Sequence, residues 1–208
     1  MLIYNKITPE GALLGIWQIE ESEQELLCYF ENKETVLQQI DAVKNESRRC
    51  EKLAVRVLLN ELTKQEKTIV YQANGKPTLS DNSYEISISH TKGFAAVILH
   101  TIKQVGVDIE AISDRVCGLK SRFLSLKERE AIDNDDEPVV SLLHWSAKET
   151  MYKLISQEGV DFAKHLFVFP FRLNDKQLKA AELFTPQGYS FDIHFEIADH
   201  YVITSCIK

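Results

Sequence analysis

The chain has 208 residues, 44% of them hydrophobic, with 31 Asp and Glu against 24 Lys and Arg for a formal net charge of -7. That length and apolar content suit one large domain or two small ones with a substantial core. The acidic balance argues against a general nucleic-acid binder, and no apolar run approaches the length that spans a bilayer.

No signal peptide is read at the N-terminus. Cys28, Cys50, Cys117 and Cys206 lack CxxC or disulfide-like spacing, so a reducing cytoplasm is the expected location. A monomer is expected, with no membrane and no nucleic-acid partner.

In chain order, ALLGIWQIE over 12–20 reads as an early strand, and Ser22 followed by Gln24 and Glu25 starts a helix over roughly 23–30. A longer helix is expected over 44–62, where Leu53, Ala54, Val57, Leu58 and Leu62 recur at helical spacing. Arg48, Arg49, Lys52 and Arg56 form a basic stripe on the same helix, a pattern that a solvated face also produces. Asn74-Gly75-Lys76-Pro77 is a turn, since Gly permits unusual backbone angles and Pro fixes the next one. Residues 84–90 and 94–100 read as two strands around the loop Thr91-Lys92-Gly93, with His90 closing the first.

The stretch Val105-Gly106-Val107-Asp108-Ile109-Glu110 is read as a central strand. Alternation turns Asp108 and Glu110 to one side and Val107 and Ile109 to the other. Two carboxylates one strand pitch apart repel and resist burial, and a hard cation such as Mg²⁺ would relieve both penalties. A helix is expected over 121–132 with Lys127, Glu128, Arg129 and Glu130 on its exposed side, then an acidic loop at 133–137.

A further helix runs from Pro138 to about Ile155. Val140, Leu143, Ala147, Met151 and Leu154 form one stripe, and Trp145, Glu149, Tyr152 and Lys153 lie opposite. Two large aromatics opposite an apolar stripe imply burial on both faces, with Glu149 in an interior cleft. The tail, over 166–173, 178–186, 189–197 and 200–207, reads mostly as strands.

Each half then offers a strand, helices and a closing hairpin, so the expectation is an α+β fold of two similar halves, 1–103 and 104–208. They are expected to pack face to face, pseudo-symmetrically, with the active-site cleft between them.

Taken together, NGKP at 74–77, ISISHT at 86–91, GVDIE at 106–110, FLSLKERE at 123–130 and WSAKETMYK at 145–153 resemble the 4′-phosphopantetheinyl transferase superfamily. The specific likeness is to the two-halved type that activates non-ribosomal peptide and polyketide synthetases. The paired motifs are G-x-D-x-E and W-[ST]-x-K-E-x-x-x-K, and the likeness covers roughly residues 45–155.

It implies Mg²⁺-dependent transfer of phosphopantetheine from coenzyme A to a serine of an apo acyl or peptidyl carrier protein, releasing adenosine 3′,5′-bisphosphate. It also implies metal-ligand positions at Asp108, Glu110 and Glu149, with Glu149 also the candidate general base. By the same likeness Lys153 and His90 contact the pyrophosphate, and Lys76 with Arg48 or Arg49 the 3′-phosphate. Lys148 matches a family lysine of unassigned role. Thr91 stands where the family has a second serine, which keeps a hydroxyl.

The carrier protein is expected to dock near Lys120, Arg122, Lys127 and Arg129, with Phe123 and Leu124 adding apolar contact. Two other readings remain open at the level of sequence: a Mg²⁺-dependent nuclease, and a catalytically silent coenzyme A or carrier-protein binding module.

Overall fold

The computed structural model describes residues 1–132 and 137–208. Of the acidic loop expected at 133–137, residues 133–136 lie outside the described residues, and Glu137 begins a helix rather than ending a loop. The chain divides into two compact units, Met1–Lys103 and Gln104–Lys208, and both mix helices with antiparallel sheet, so the fold class is α+β. Among the described residues no helix is long and apolar enough to cross a membrane.

The first unit begins with two strands, β1 (Leu2–Ile7) and β2 (Leu13–Gln18). Three helices follow: α1 (Glu23–Leu27), α2 (Lys33–Ile40) and α3 (Glu46–Thr63). A short hairpin, β3 (Ile69–Tyr71) with β4 (Pro77–Leu79), leads into β5 (Glu85–Thr91) and β6 (Phe94–His100). The main sheet has the order β1-β2-β6-β5.

Local chemistry sets these boundaries. Ser22 and Glu25 exchange hydrogen bonds across a capping box that starts α1. Asn45 accepts the Arg48 N–H at 3.0 Å and starts α3. The stripe of α3 is buried as expected: Leu53, Ala54, Val57 and Leu58 are all sealed from water against the sheet residues Trp17, Ala95, Val97 and Leu99. Burying each leucine side chain contributes about 1.5–3 kcal/mol.

The NGKP turn closes the β3–β4 hairpin. Gly75 takes a φ of +82°, and the Asn74 side chain accepts the Lys76 N–H at 3.1 Å, which fixes where Lys76 leaves the backbone.

In the second unit β7 (Val105–Ala111) is followed by a 3-10 segment, Asp114–Leu119, and three helices. These are α4 (Lys120–Phe123), α5 (Leu126–Ala131) and the long α6 (Glu137–Ile155). The chain continues through α7 (Phe162–His165), β8 (Leu166–Val168), β9 (Gln177–Glu182), β10 (Ser190–Ile197) and β11 (Tyr201–Ile207). The sheet order is β7-β11-β10-β9-β8. In both units a strand leads through a long helix to a hairpin whose last strand pairs antiparallel with that first strand: β2, α3, β5–β6 in one, β7, α6, β10–β11 in the other.

The single helix expected over 121–132 is two helices. Leu124 is extended and buried, and Ser125 restarts the chain with a capping box closed by Glu128. Glu128 is therefore not on the exposed side; it is 2% exposed, while Lys127, Arg129 and Glu130 do face solvent. Phe123 and Leu124, expected as docking contacts, are core residues.

Helix α6 lies close against β7 and β11. Buried hydroxyls stitch it down: Thr204 Oγ1 sits 2.7 Å from Thr150 Oγ1 and 2.9 Å from Ser146 Oγ, and Thr150 Oγ1 donates to the Thr204 carbonyl at 3.3 Å. The approach is close enough that a Cβ on Gly106 would stand 2.7 Å from the Thr150 carbonyl oxygen, which explains the glycine two residues before Asp108. Gly106→Ala is expected to cost about 2 kcal/mol or more through forced separation of strand and helix. Gly118→Ala, with open space at its Cβ, is expected to stay within about 0.5 kcal/mol. Urea unfolding midpoints of the two variants compare them directly, and equal midpoints would remove the packing explanation.

Candidate active site

The position of α6 is set on one face by a buried ion pair. Lys148 is fully buried and its ammonium donates three times: to the Phe123 carbonyl at 2.7 Å, to Glu128 Oε2 at 2.8 Å and to the Phe162 carbonyl at 3.1 Å. Glu128 also accepts the Ser125 N–H at 2.7 Å and the Val168 N–H at 2.9 Å. Burial pulls the Lys148 pKa down and Glu128 opposes the shift. With every ammonium proton used, the pair ties α6 to the end of α4, the start of α5, α7 and β8. That is the role of the lysine that sequence left unassigned.

The adjoining face of α6 and the facing side of β7 carry the acids. Asp108 is buried, and its Oδ1 accepts from Lys153 Nζ at 2.9 Å; the same ammonium donates to the Val107 carbonyl at 2.8 Å. Glu110 Oε1 accepts the indole N–H of Trp145 at 2.7 Å. The Trp145 ring is itself wedged against Phe123 and Phe162, with centroids 5.4 and 5.6 Å away. Glu149, one turn before Lys153, stands within electrostatic reach of both other carboxylates.

Burial pushes the Glu149 carboxyl up to about 7, with the Asp108 charge adding to the rise, Lys153 opposing it and Glu110 contributing least. Burial likewise raises Glu110, with Asp108 reinforcing it and the Trp145 hydrogen bond, Lys153 and Arg115 opposing. Helix α6 and strand β7 thus bring Asp108, Glu110, Glu149 and Lys153 together.

Among the described residues no group of three or more His, Cys, Asp and Glu side chains is drawn tightly enough to hold a metal as the side chains stand. The donor chemistry nonetheless fits a hard divalent cation: the groups are oxygen donors, and two of them are raised by burial and mutual repulsion that a cation would relieve.

The remaining expected site residues lie in the first unit. His90 Nδ1 is 3.1 Å from Glu51 Oε2. Lys76 Nζ is 3.7 Å from Glu85 Oε2. The two arginines at the start of α3 differ sharply. Arg49 forms a two-pronged pair with Glu23, at 2.6 and 2.8 Å, and also donates to the Ile40 and Val43 carbonyls. Arg48 keeps its side chain 65% exposed, with Glu51 at 3.8 Å.

Sequence reasoning missed two acids. Glu128 was signalled by the Ser125-x-x-Glu128 capping pattern, whereas Glu51, embedded in the basic stripe of α3, carried no local signal.

An α+β unit with three crowded carboxylates and a lysine on one strand and its covering helix defines a class of acid-rich, cation-compatible site. Residues 104–206, nearly the whole second unit, match the family model described as the 4′-phosphopantetheinyl transferase superfamily, and through that unit the chain belongs to this superfamily. Its class is that of transferases of the phosphopantetheinyl type. No curated protein matches the chain at a significant level.

The raised Glu149 carboxyl has a signature in stability. A carboxyl whose folded pKa is raised binds more protons folded than unfolded between its ordinary value of 4.5 and about 7. Stability is then lost as pH rises through that window and is flat above it. Glu149→Gln is therefore expected to be more stable than wild type at pH 8 by roughly 1–3 kcal/mol, and so to unfold at higher temperature, with the difference vanishing near pH 4.5. Calorimetric scans in metal-free buffer at the two pH values test this, and a pH-independent difference would contradict it.

Proposed function

We propose that the protein transfers the 4′-phosphopantetheine arm of coenzyme A to a serine of an apo acyl or peptidyl carrier protein, with Mg²⁺, releasing adenosine 3′,5′-bisphosphate. The observation that carries this reading is the convergence of Asp108, Glu110 and Glu149 with Lys153 in the unit that matches the family model. In this reading Asp108, Glu110 and Glu149 hold the metal ion, which when bound supplies charge neutralisation for the pyrophosphate and its leaving oxygen.

The chain's own side chains do the rest. The carrier serine oxygen bonds to the phosphorus that bears the pantetheine arm, the pyrophosphate P–O bond breaks, and the serine proton passes to Glu149 as general base. Lys153, anchored at Asp108 and the Val107 carbonyl, brings an ammonium to the phosphates. His90 donates to the pyrophosphate, and Lys76 with Arg48 takes the 3′-phosphate. Between the two arginines the geometry favours Arg48, because the guanidinium of Arg49 is spent on Glu23 and two carbonyls. The cations Arg122, Lys127 and Arg129 face solvent, which supports carrier docking there by short-range charge contact.

Asp108→Ala and Glu149→Ala are each expected to lower turnover by about a thousandfold or more while the fold survives, since each removes a group placed at the reacting phosphate. Wild-type turnover in both at saturating Mg²⁺ would refute the site. Lys76→Ala is expected to weaken binding of coenzyme A by roughly tenfold or more and that of 3′-dephospho-coenzyme A hardly at all. Calorimetric titration with both ligands distinguishes the outcomes, and equal losses would move Lys76 away from the 3′-phosphate.

A further inference from the structure

Glu51 was not singled out by its motif, yet this acid of α3 faces two of the cations assigned above. Its side chain is 11% exposed, and a single oxygen, Oε2, lies 3.1 Å from His90 Nδ1 and 3.8 Å from Arg48 Nη1. His90 is the last residue but one of β5 and Arg48 lies in the first turn of α3, so the carboxylate bridges a strand end and a helix start. A carboxylate this deeply buried is costly unless cations face it, and two do.

We infer that Glu51 is a positioning residue for anion binding: it holds the His90 ring in its doubly protonated form and keeps Arg48 beside it. This rests on the reading that His90 and Arg48 contact coenzyme A phosphates. A neutral imidazole has one donor and one acceptor nitrogen, and a lone pair turned toward a phosphate repels it. With the Glu51 carboxylate 3.1 Å from Nδ1 to balance the ring's charge, the imidazolium carries a second donor at Nε2, which is what an anion requires.

The groups facing the ring favour this state. Helix α3 presents Glu51 and, through it, Arg48. On β6 the residue opposite His90 is the neutral Ala95, and the nearest charge on its own hairpin is Lys92, two residues on. Glu51 also sits three residues after Arg48, the spacing at which helical side chains meet. Its negative charge thus lets an imidazolium and a guanidinium stand side by side without mutual repulsion, leaving a net positive face for phosphate.

Glu51→Gln keeps the shape and removes the charge. The ring-nitrogen chemical shifts of His90, read by NMR on the full chain at pH 7 without ligand, report how many nitrogens carry protons, and calorimetry reads coenzyme A affinity. Doubly protonated signals in wild type are expected to become those of a neutral ring in Glu51→Gln. Coenzyme A affinity is expected to fall roughly tenfold, and Glu51→Asp, which keeps the charge, is expected to recover at least half of the lost binding free energy.

Adding His90→Ala to Glu51→Gln should cost little more, because the two act as one unit. Should Glu51→Gln fail to fold, the same shifts and affinity in Glu51→Asp decide the matter, with intermediate values expected. Unchanged His90 shifts in the variant overturn the positioning role whatever happens to affinity. Changed shifts with unchanged affinity, while His90→Ala alone weakens binding, also overturn it and leave the coenzyme A reading standing. A wild-type protein that does not bind coenzyme A at all removes that reading and this inference with it.

Discussion

The second unit depends on the buried pair Lys148–Glu128. A lysine ammonium with no exposure is tolerable only when every proton has an acceptor, and here two carbonyls and a carboxylate supply them. Those acceptors come from separate pieces of chain, and Glu128 adds bonds to the Ser125 and Val168 amides. One ion pair thereby organises the chain on both sides of α6 and sets the rotation of that helix. The next residue along, Glu149, then sits in reach of the carboxylates of β7 with Lys153 one turn beyond. The structural lysine and the candidate functional glutamate are neighbours in sequence because the first orients the second.

The acid site carries a cost that packing alone would not select. Glu149 and Glu110 are both raised by burial and by the charge of Asp108, so the unit holds negative charge where the apolar surroundings disfavour it. Partial relief comes from within, through Lys153 on Asp108 and the Trp145 indole on Glu110. The rigid scaffold offsets the remainder: the hydroxyls of Ser146, Thr150 and Thr204 and the missing side chain of Gly106 hold strand and helix too close for the acids to move apart. Perturbed carboxyls on rigid elements are a recurring mark of functional sites.

Much of this was legible in sequence where the signal is local. The long helices α3 and α6 follow from apolar spacing, and the strands around Thr91-Lys92-Gly93 from alternation. Short elements were not legible: β3 and β4 have three residues each, and α2 and α7 carry no long periodic run. The break at Leu124 is hidden in the sequence because helical spacing continues across it, while the capping box of Ser125 and Glu128 decides otherwise. Glu128 looked like a solvated face since its burial depends on Lys148, twenty residues on. The pairing of Arg49 with Glu23, far back in the chain, is announced by no neighbouring residue. The acids of β7 and α6 were readable as a set only because their two motifs occur together.

The central claim is that this chain is a working transferase. Intact-mass spectrometry of an apo carrier protein incubated with the purified protein, coenzyme A and Mg²⁺ tests it most directly. The predicted result is a gain of one phosphopantetheine group on a carrier serine, matched by an equal amount of adenosine 3′,5′-bisphosphate and abolished by chelation of the metal. A folded protein that binds coenzyme A yet leaves carrier proteins of both acyl and peptidyl type unmodified would contradict it.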